Sequence, residues 1–308
     1  MMRNNTNKGI LGREIRRNLT SYIMLSPYMI MFIVLTVIPV VSAIALSFTS
    51  FNMLETPKFS QLNNYIRLFC DDEIFPTVLR NTLLFAIVTG PVGYILSFFT
   101  AWAVNELGPK LRTFFTFCFY SPALTGSLYV IWVFIFSGDE YGIANSLLQN
   151  IGLITKPIQW LSDTKWMMTS LIIVQLWSSF GIGFLTFVAG FQSQDKSLVE
   201  AGMIDGVKNR WQELWYITLP SMGPQLIFSA VMQIAGSFGV GTIVQSLAGF
   251  PTTQYSADTL LTYMLDVGKE RYEMGYASAI AVFLFAMMLF TNFVVTRLIR
   301  RVDRKSVV

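Results

Sequence analysis

Six long segments without a charged side chain constrain this chain more than any other feature. A helix needs about 20 mostly apolar residues to cross the hydrocarbon core of a bilayer. Each segment is long enough and holds an apolar run, so we predict an all-α, polytopic membrane protein with six transmembrane helices. The segments are 18–54, 81–105, 113–138, 166–194, 214–257 and 274–296. The helices are expected near 22–48, 79–104, 114–136, 167–190, 225–247 and 275–296.

The composition excludes several other classes of protein. Only 13% of the 308 residues are charged, about half the share in a soluble domain. The chain has no His and two Cys, so catalytic schemes that pair a nucleophile with His are excluded. We therefore predict no catalytic residue and no metal site. A membrane enzyme is the weakest alternative.

The distribution of Lys and Arg predicts the orientation in the membrane. The termini and the two loops on their side of the membrane carry fifteen Lys and Arg, whereas the three loops on the other side carry seven. Positive residues accumulate on the cytoplasmic side, so both termini are expected there. The predicted organisation is a basic cytoplasmic N-terminus (1–20), a transmembrane domain (21–300) with a cytoplasmic loop at 191–224, and a basic cytoplasmic tail (301–308).

The loop 191–224 carries the most patterned sequence outside the spans. Ser197-x-x-Glu200 is typical of a capping box that starts a helix, and Asp205-Gly206 predicts a turn. A second short helix is expected from Trp211 until Pro220, which should end it. The pattern predicts a helix-turn-helix element with an exposed apolar side that needs a partner surface.

The pattern of this element leaves two other functions to consider. It could lie on lipid headgroups, with Trp211 and Trp215 as interfacial anchors. A DNA-binding role is disfavoured, because the turn and the second helix have only Lys208 and Arg210 as cations and nucleic acids require a basic surface. We therefore expect no nucleic-acid partner.

Several motifs resemble those of the permease subunits of type I ABC importers. Glu200-Ala201-Gly202-x-x-Asp205-Gly206, followed by Ile217-Thr218-Leu219-Pro220, is similar to the family's EAA loop. Arg80-Asn81-Thr82 and Phe59-x-x-Leu62-Asn63-Asn64-Tyr65 resemble segments around its second helix. Three further segments resemble the carbohydrate branch of the family, which includes the first permease of maltose-type systems. They are Tyr120-Ser121-Pro122-Ala123, Trp132 and Tyr141-Gly142-Ile143-Ala144-Asn145. Gly202 and Val207 depart from the family pattern, which usually has Ala at both positions.

The resemblance implies a type I ABC permease fold whose loop couples to cytoplasmic ATPases. The partners implied are two ABC ATPase subunits, a second permease that is a homologue of this one, and an extracytoplasmic solute-binding protein, all at the cell membrane of a prokaryote. Glu200 is expected either to contact the ATPase or to close the capping box. The implied coupling residues are Glu200, Ala201, Gly202, Asp205, Gly206 and Pro220.

The chain has no G-x-x-x-x-G-K-[ST] phosphate-binding loop. No cofactor is therefore expected in this chain, and ATP and Mg²⁺ are expected on the partner ATPases.

The spans offer neutral polar groups for a hydroxyl-rich solute. The six uncharged segments contain no Asp, Glu, Lys, Arg or His, and proton-coupled carriers usually use such residues within the membrane. The same polar residues could equally serve helix packing. The candidates for the passage are Ser127, Trp132, Gln175, Ser178, Ser179, Gln233 and Ser237.

We predict the import of a sugar or oligosaccharide. Alternatives are an importer of another polar solute, such as a glycerol phosphate ester or a polyamine, and a standalone channel or secondary carrier. The standalone alternative predicts transport without an ATPase and indifference to a charge at Ala201.

Overall fold

The computed structural model of the chain describes residues 18–124 and 129–306, with side chains up to residue 300. Over those residues it contains helices and no strand, apart from one isolated bridge between Thr49 and Phe59. Ser127, most of the basic N-terminus and the side chains of the basic tail lie outside this description.

Four apolar helical stretches are long enough to span a membrane, and two bent pairs bring the total to six if each pair forms one span. This confirms the all-α fold, and the four to six apolar spans of the described residues agree with the six predicted ones. The four are α1 (Leu19–Leu46), α2 (Phe75–Asn105), Met167–Gln192 and the first part of α13 (Met274–Ser306). The bent pairs are α3 (Pro109–Leu124) with α4 (Tyr129–Ile135), and α10 (Gly223–Phe238) with α11 (Gly241–Ala248).

Three of the predicted spans are interrupted. The span Met167–Gln192 consists of α6 (Met167–Ser178) and α7 (Ile182–Gln192), with three non-helical residues between them. Helices α10 and α11 meet at 40°. Helices α3 and α4 meet at 93° across residues 125–128, which the structure does not describe.

Shorter helices connect the spans. They include α5 (Ile143–Asn150), α8 (Lys196–Ile204), α9 (Arg210–Glu213) and α12 (Leu260–Leu265), besides single turns such as Asn63–Ile66. We call residues 195–221, which contain α8 and α9, the hairpin. The hairpin lies in the loop between the fourth and fifth spans, at the end of the molecule where α2 ends.

Helix α2 begins four residues earlier than predicted, after a turn held by Asp72 that the charge pattern conceals. The carboxylate of Asp72 accepts hydrogen bonds from the amides of Ile74 and Phe75, at 2.8 and 3.0 Å. Pro76 occupies the first turn, where a missing amide hydrogen costs nothing. Arg80, which bounds the uncharged segment, therefore lies inside the helix.

Two predictions about the hairpin were wrong. The cap of α8 is Asp195 and not Ser197, because the Asp195 carboxylate accepts from the amide of Ser197. Pro220 does not end the second arm, which continues after α9 as a π turn at Leu214–Thr218 and a short helix at Leu219–Ser221. Pro220 lies in the first turn of that short helix, where proline is tolerated.

Three clusters of buried side chains lie along α2. The cluster nearest the hairpin joins Phe98 of α2 to Phe187 of α7 and to Leu214. The other two join α2 to α12 and α13, and to α6 and α11. Helix α2 thus contributes to the core at both ends and in the middle, whereas the residues of α1 up to Leu46 are not buried.

Candidate functional site

The first helix of the hairpin presents its side chains to the surface. No residue of α8 is buried, and Ile204 at its end is 87% exposed. Glu200 and Ala201 are exposed in the middle of the helix. The expected capping bond of Glu200 is therefore wrong, and its side chain is free for an external contact. Contiguous exposed apolar residues of this kind mark interaction surfaces.

The turn predicted at Asp205 and Gly206 is confirmed. The amide of Val207 donates to the carbonyl of Gly202 at 2.9 Å, and that of Gly206 donates to Met203 at 3.3 Å. This pair of bonds is a Schellman motif, which requires a left-handed residue after the helix. Gly206 provides it with φ of +99°, so the two arms fold back on each other.

Gly202 allows the two arms of the hairpin to approach closely. A Cβ atom at this position would lie 2.3 Å from Cδ1 of Ile217 and 3.6 Å from Cγ2 of Val207. The departure from alanine noted in the sequence therefore has a local reason, since the Ile217 side chain fills the space.

The second arm is anchored to the spans. Trp211 packs on Trp102 of α2 with ring centroids 4.9 Å apart, and Leu214 is 2% exposed. Arg210 bonds to Glu106 at 3.2 Å and to Glu213 at 2.8 Å. The result is an exposed first helix carried on a fixed second arm.

Several predicted pathway residues meet where α2, α6 and α10 cross. The amide of Gln233 donates to the carbonyl of Thr89 at 3.1 Å, and Ser97 donates to the carbonyl of Ser179 at 3.3 Å. A Cβ atom on Gly93 would lie 2.2 Å from Nε2 of Gln233. The absence of a side chain at Gly93 therefore permits this crossing.

The helix breaks of the fourth and fifth spans lie close to one another. Gln175 of α6 donates to the carbonyl of Gly236 in α10 at 3.1 Å. Ser179 lies at one break, and Gly239 follows the last residue of α10 at the other. Paired interruptions of this kind accompany binding sites at the membrane midplane in many transporters.

A groove of about 430 Å³ opens between α2, α10 and α13. Gln233, Ser237 and Tyr94 line it together with apolar residues. Its volume suits a small solute, although few of its lining atoms are polar. The contact of Gln233 and Ser237 with a solute stays a prediction.

The remaining pathway candidates lie elsewhere. Ser178 is half-buried at the end of α6. Trp132 is half-buried on α4, with its ring 5.5 Å from that of Trp177. Ser127 is outside the described residues. The structure therefore brings together Gln175, Ser179, Gln233 and Ser237, and does not join Ser178 or Trp132 to the groove.

At the opposite end, α2 holds the loop between the fifth and sixth spans. The amide of Asn81 donates to the carbonyls of Tyr255 and Asp258, at 2.9 and 3.0 Å. Thr82 accepts from the amide of Leu260 at 2.8 Å. The motif Arg80-Asn81-Thr82, noted only as a resemblance, therefore has a physical function in fixing this loop.

The loop held by α2 contains a fully buried carboxyl group. Asp258 accepts hydrogen bonds from the amide and hydroxyl of Thr252, at 2.9 and 2.8 Å. Burial raises the pKa of Asp258 above its ordinary value, against the opposing effect of these bonds. No ion pair of Asp258 is found within the described part of the chain.

A second carboxyl group on this side joins the starts of two spans. Asp72, in the turn before α2, accepts hydrogen bonds from the hydroxyls of Tyr263 and Tyr276. Burial raises its pKa, but the hydroxyl and amide donors outweigh burial and bring the pKa below its ordinary value. Sequence reasoning missed this residue because two neighbouring acidic residues conceal it.

The family model for the binding-protein-dependent transport system inner membrane component matches residues 93–305. The chain is 33% identical over 280 residues to the probable ABC transporter permease protein YesP of Bacillus subtilis, covering 88% of this chain and 87% of the relative. It is 31% identical over 271 residues to the arabinooligosaccharides transport system permease protein AraP of Halalkalibacterium halodurans, covering 87% of this chain and 83% of the relative.

A solved structure shares the fold. It is a chain from a bacterial ABC transporter involved in the import of the acidic polysaccharide alginate. The TM-score is 0.76 at 25% sequence identity, and the alignment covers 94% of this chain and 98% of the solved one.

Proposed function

The chain belongs to the inner membrane components of binding-protein-dependent transport systems, and from this premise we propose that it is the permease subunit of an ATP-driven carbohydrate importer. Its class as an ABC transporter permease and its place in the inner membrane follow from the family. The proposal adds the solute, the coupling residues, the partner subunits and the orientation.

The carbohydrate assignment is supported by the names of relatives and by the chemistry of the spans. One relative is a permease for arabinooligosaccharides, and a structural neighbour belongs to an alginate importer. The spans combine neutral amide and hydroxyl groups with aromatic rings, which suit a neutral polyhydroxylated solute. The solute is delivered by an external binding protein, as the family description implies.

The exposed first helix of the hairpin is the observation that carries the coupling role. Helix α8 offers Glu200, Ala201 and Ile204 to a partner while the second arm is fixed to the spans. We assign this surface to the ATPase subunits, which bind ATP and Mg²⁺. One hairpin per chain requires a second permease to engage two ATPases.

Affinity purification with an Ala201→Asp variant tests the coupling role. Ala201 is exposed, so the substitution leaves the fold of the hairpin intact and places a desolvated charge only in a docked interface. We expect a P-loop ATPase and a second multi-span protein to co-purify with the parent. The variant should lose most of the ATPase, and the neutral control Ala201→Ser should keep it.

Two outcomes separate the alternatives. Purification of the parent alone, with the variant unchanged, contradicts the docking role and favours a standalone channel or carrier. If the complex forms, uptake assays with its binding protein should show transport of arabinooligosaccharides rather than of glycerol phosphate esters or polyamines. Preferential uptake of one of the latter contradicts the carbohydrate assignment.

A further inference from the structure

We propose that helix α2 transmits the displacement of the hairpin to the loop on the opposite side of the membrane, through a clasp formed by Trp102, Glu106, Arg210 and Trp211. This inference rests on the coupling role proposed above and identifies the residues that carry it into the spans. Arg210 and Trp211 are positioning residues in this scheme and contact no solute.

The path begins with the contrast between the two arms of the hairpin. Helix α8 has no buried residue. It contacts the rest of the chain largely through the second arm, where Gly202 packs against Ile217. A force applied to α8 by a docked subunit therefore acts on the second arm. Close-packed contacts pass such displacements on rather than absorbing them.

The clasp connects the second arm to α2 by two different kinds of contact. The rings of Trp102 and Trp211 are 4.9 Å apart, and Phe99 lies 6.1 Å from Trp211. Arg210 reaches Glu106 at 3.2 Å. The aromatic contact supplies most of the interaction energy, since a solvent-exposed ion pair contributes little. The ion pair fixes the position of the second arm along α2.

Helix α2 then carries the displacement past the helix breaks to the opposite side. It is one continuous helix of 31 residues, and its buried residues are spread over its whole length. Near its middle it meets Gln233 and Ser179 at Gly93. At its other end Asn81 holds the loop that contains Asp258. A single continuous helix, with Pro91 in its interior, therefore contacts the hairpin, Ser179 at one helix break, Ser237 beside the other, and the outer loop.

The clasp can be tested by observing the outer loop while ATP acts on the opposite side. Thr253 is exposed on that loop. It is changed to Cys in a chain whose Cys70 and Cys118 are replaced by Ser, and is labelled with an environment-sensitive fluorophore in the reconstituted complex. ATP, Mg²⁺ and vanadate are added as the probe. We expect a fluorescence change in the labelled parent.

Variants on α2 break the clasp without altering the hairpin surface that faces the ATPase. Trp102→Ala is expected to reduce the fluorescence change about tenfold and Glu106→Arg about threefold, while the ATPase still co-purifies. Arg210→Glu combined with Glu106→Arg restores opposite charges and should recover most of the change. Lys110→Glu reverses a cation four residues further along the chain that forms no ion pair among the described residues, and should have no effect.

The outcomes distinguish this inference from the proposed function. A full fluorescence change in Trp102→Ala and Glu106→Arg overturns the clasp alone. A parent that retains the ATPase but shows no change overturns the transmission along α2. A parent without an ATPase overturns the coupling role and this inference with it.

Discussion

A single amide side chain organises the loop between α4 and α6. Nδ2 of Asn145 lies within 3.0 to 3.1 Å of the carbonyl oxygens of Ser137, Asp139 and Ile158. Its Oδ1 accepts from the amide of Ile158 at 3.0 Å and the indole of Trp160 at 2.9 Å. Asn145 is fully buried, so one residue satisfies most of the polar groups of a turn that is otherwise exposed.

Replacement of Asn145 by Asp should destabilise the protein by roughly 3 to 5 kcal/mol. The carboxylate cannot donate, so its charge would face three carbonyl oxygens, and each lost bond in a buried site costs about 1 to 3 kcal/mol. Thermal unfolding of the purified complex measures the effect. The matched control is Asn150→Asp, because Asn150 is exposed at the end of the same helix. Equal melting temperatures for the two variants would contradict this account.

At the scale of the element, the crossing of α2 with α6 and α10 depends on a missing side chain. A Cβ atom on Gly93 would lie 2.2 Å from Nε2 of Gln233 and 2.9 Å from Cβ of Ser179. Gly93→Ala should therefore displace Gln233 from the carbonyl of Thr89 and cost about 1 to 3 kcal/mol, the usual penalty of overpacking. A lower melting temperature and slower solute uptake by the complex would show this.

Two further variants make the prediction specific. Gly236→Ala adds the same methyl group to α10, where the nearest atom of another element is 4.0 Å away, and should be tolerated. Removing the obstruction with Gln233→Ala in the Gly93→Ala background should recover part of the stability. If Gly93→Ala behaves like Gly236→Ala, the close approach is not a constraint.

The elements also show where sequence reasoning reaches its limit. The spans could be predicted because an uncharged apolar segment has a direct physical cost in water. The breaks at Ser179 and Gly239 could not, although Ser and Gly are frequent around both (178–183 and 236–241). Gly90 and Gly93 lie inside the unbroken helix α2, so these residue types alone do not locate a break, which depends on contacts between distant segments. Asn81 shows the same limit: its motif was visible, but its partners lie 174 and 177 residues away in the sequence.

At the scale of the whole molecule, the charge distribution and the fold make a joint prediction of orientation. The hairpin extends from the side that carries fifteen of the Lys and Arg residues. Tyr141, which is 92% exposed, and Leu54, which is 90% exposed, lie in loops on the opposite side. The positive-inside rule places the hairpin in the cytoplasm and these two residues outside.

Labelling of single cysteines in intact cells tests this orientation. In a chain whose Cys70 and Cys118 are replaced by Ser, a membrane-impermeant maleimide should label Tyr141→Cys and Leu54→Cys. It should reach Ile204→Cys only after the membrane is permeabilised, because the predicted orientation puts α8 on the cytoplasmic side. Labelling of Ile204→Cys in intact cells, with protection of the other two, would reverse the orientation. The hairpin could then not reach a cytoplasmic ATPase, so this measurement constrains the coupling role independently of any partner.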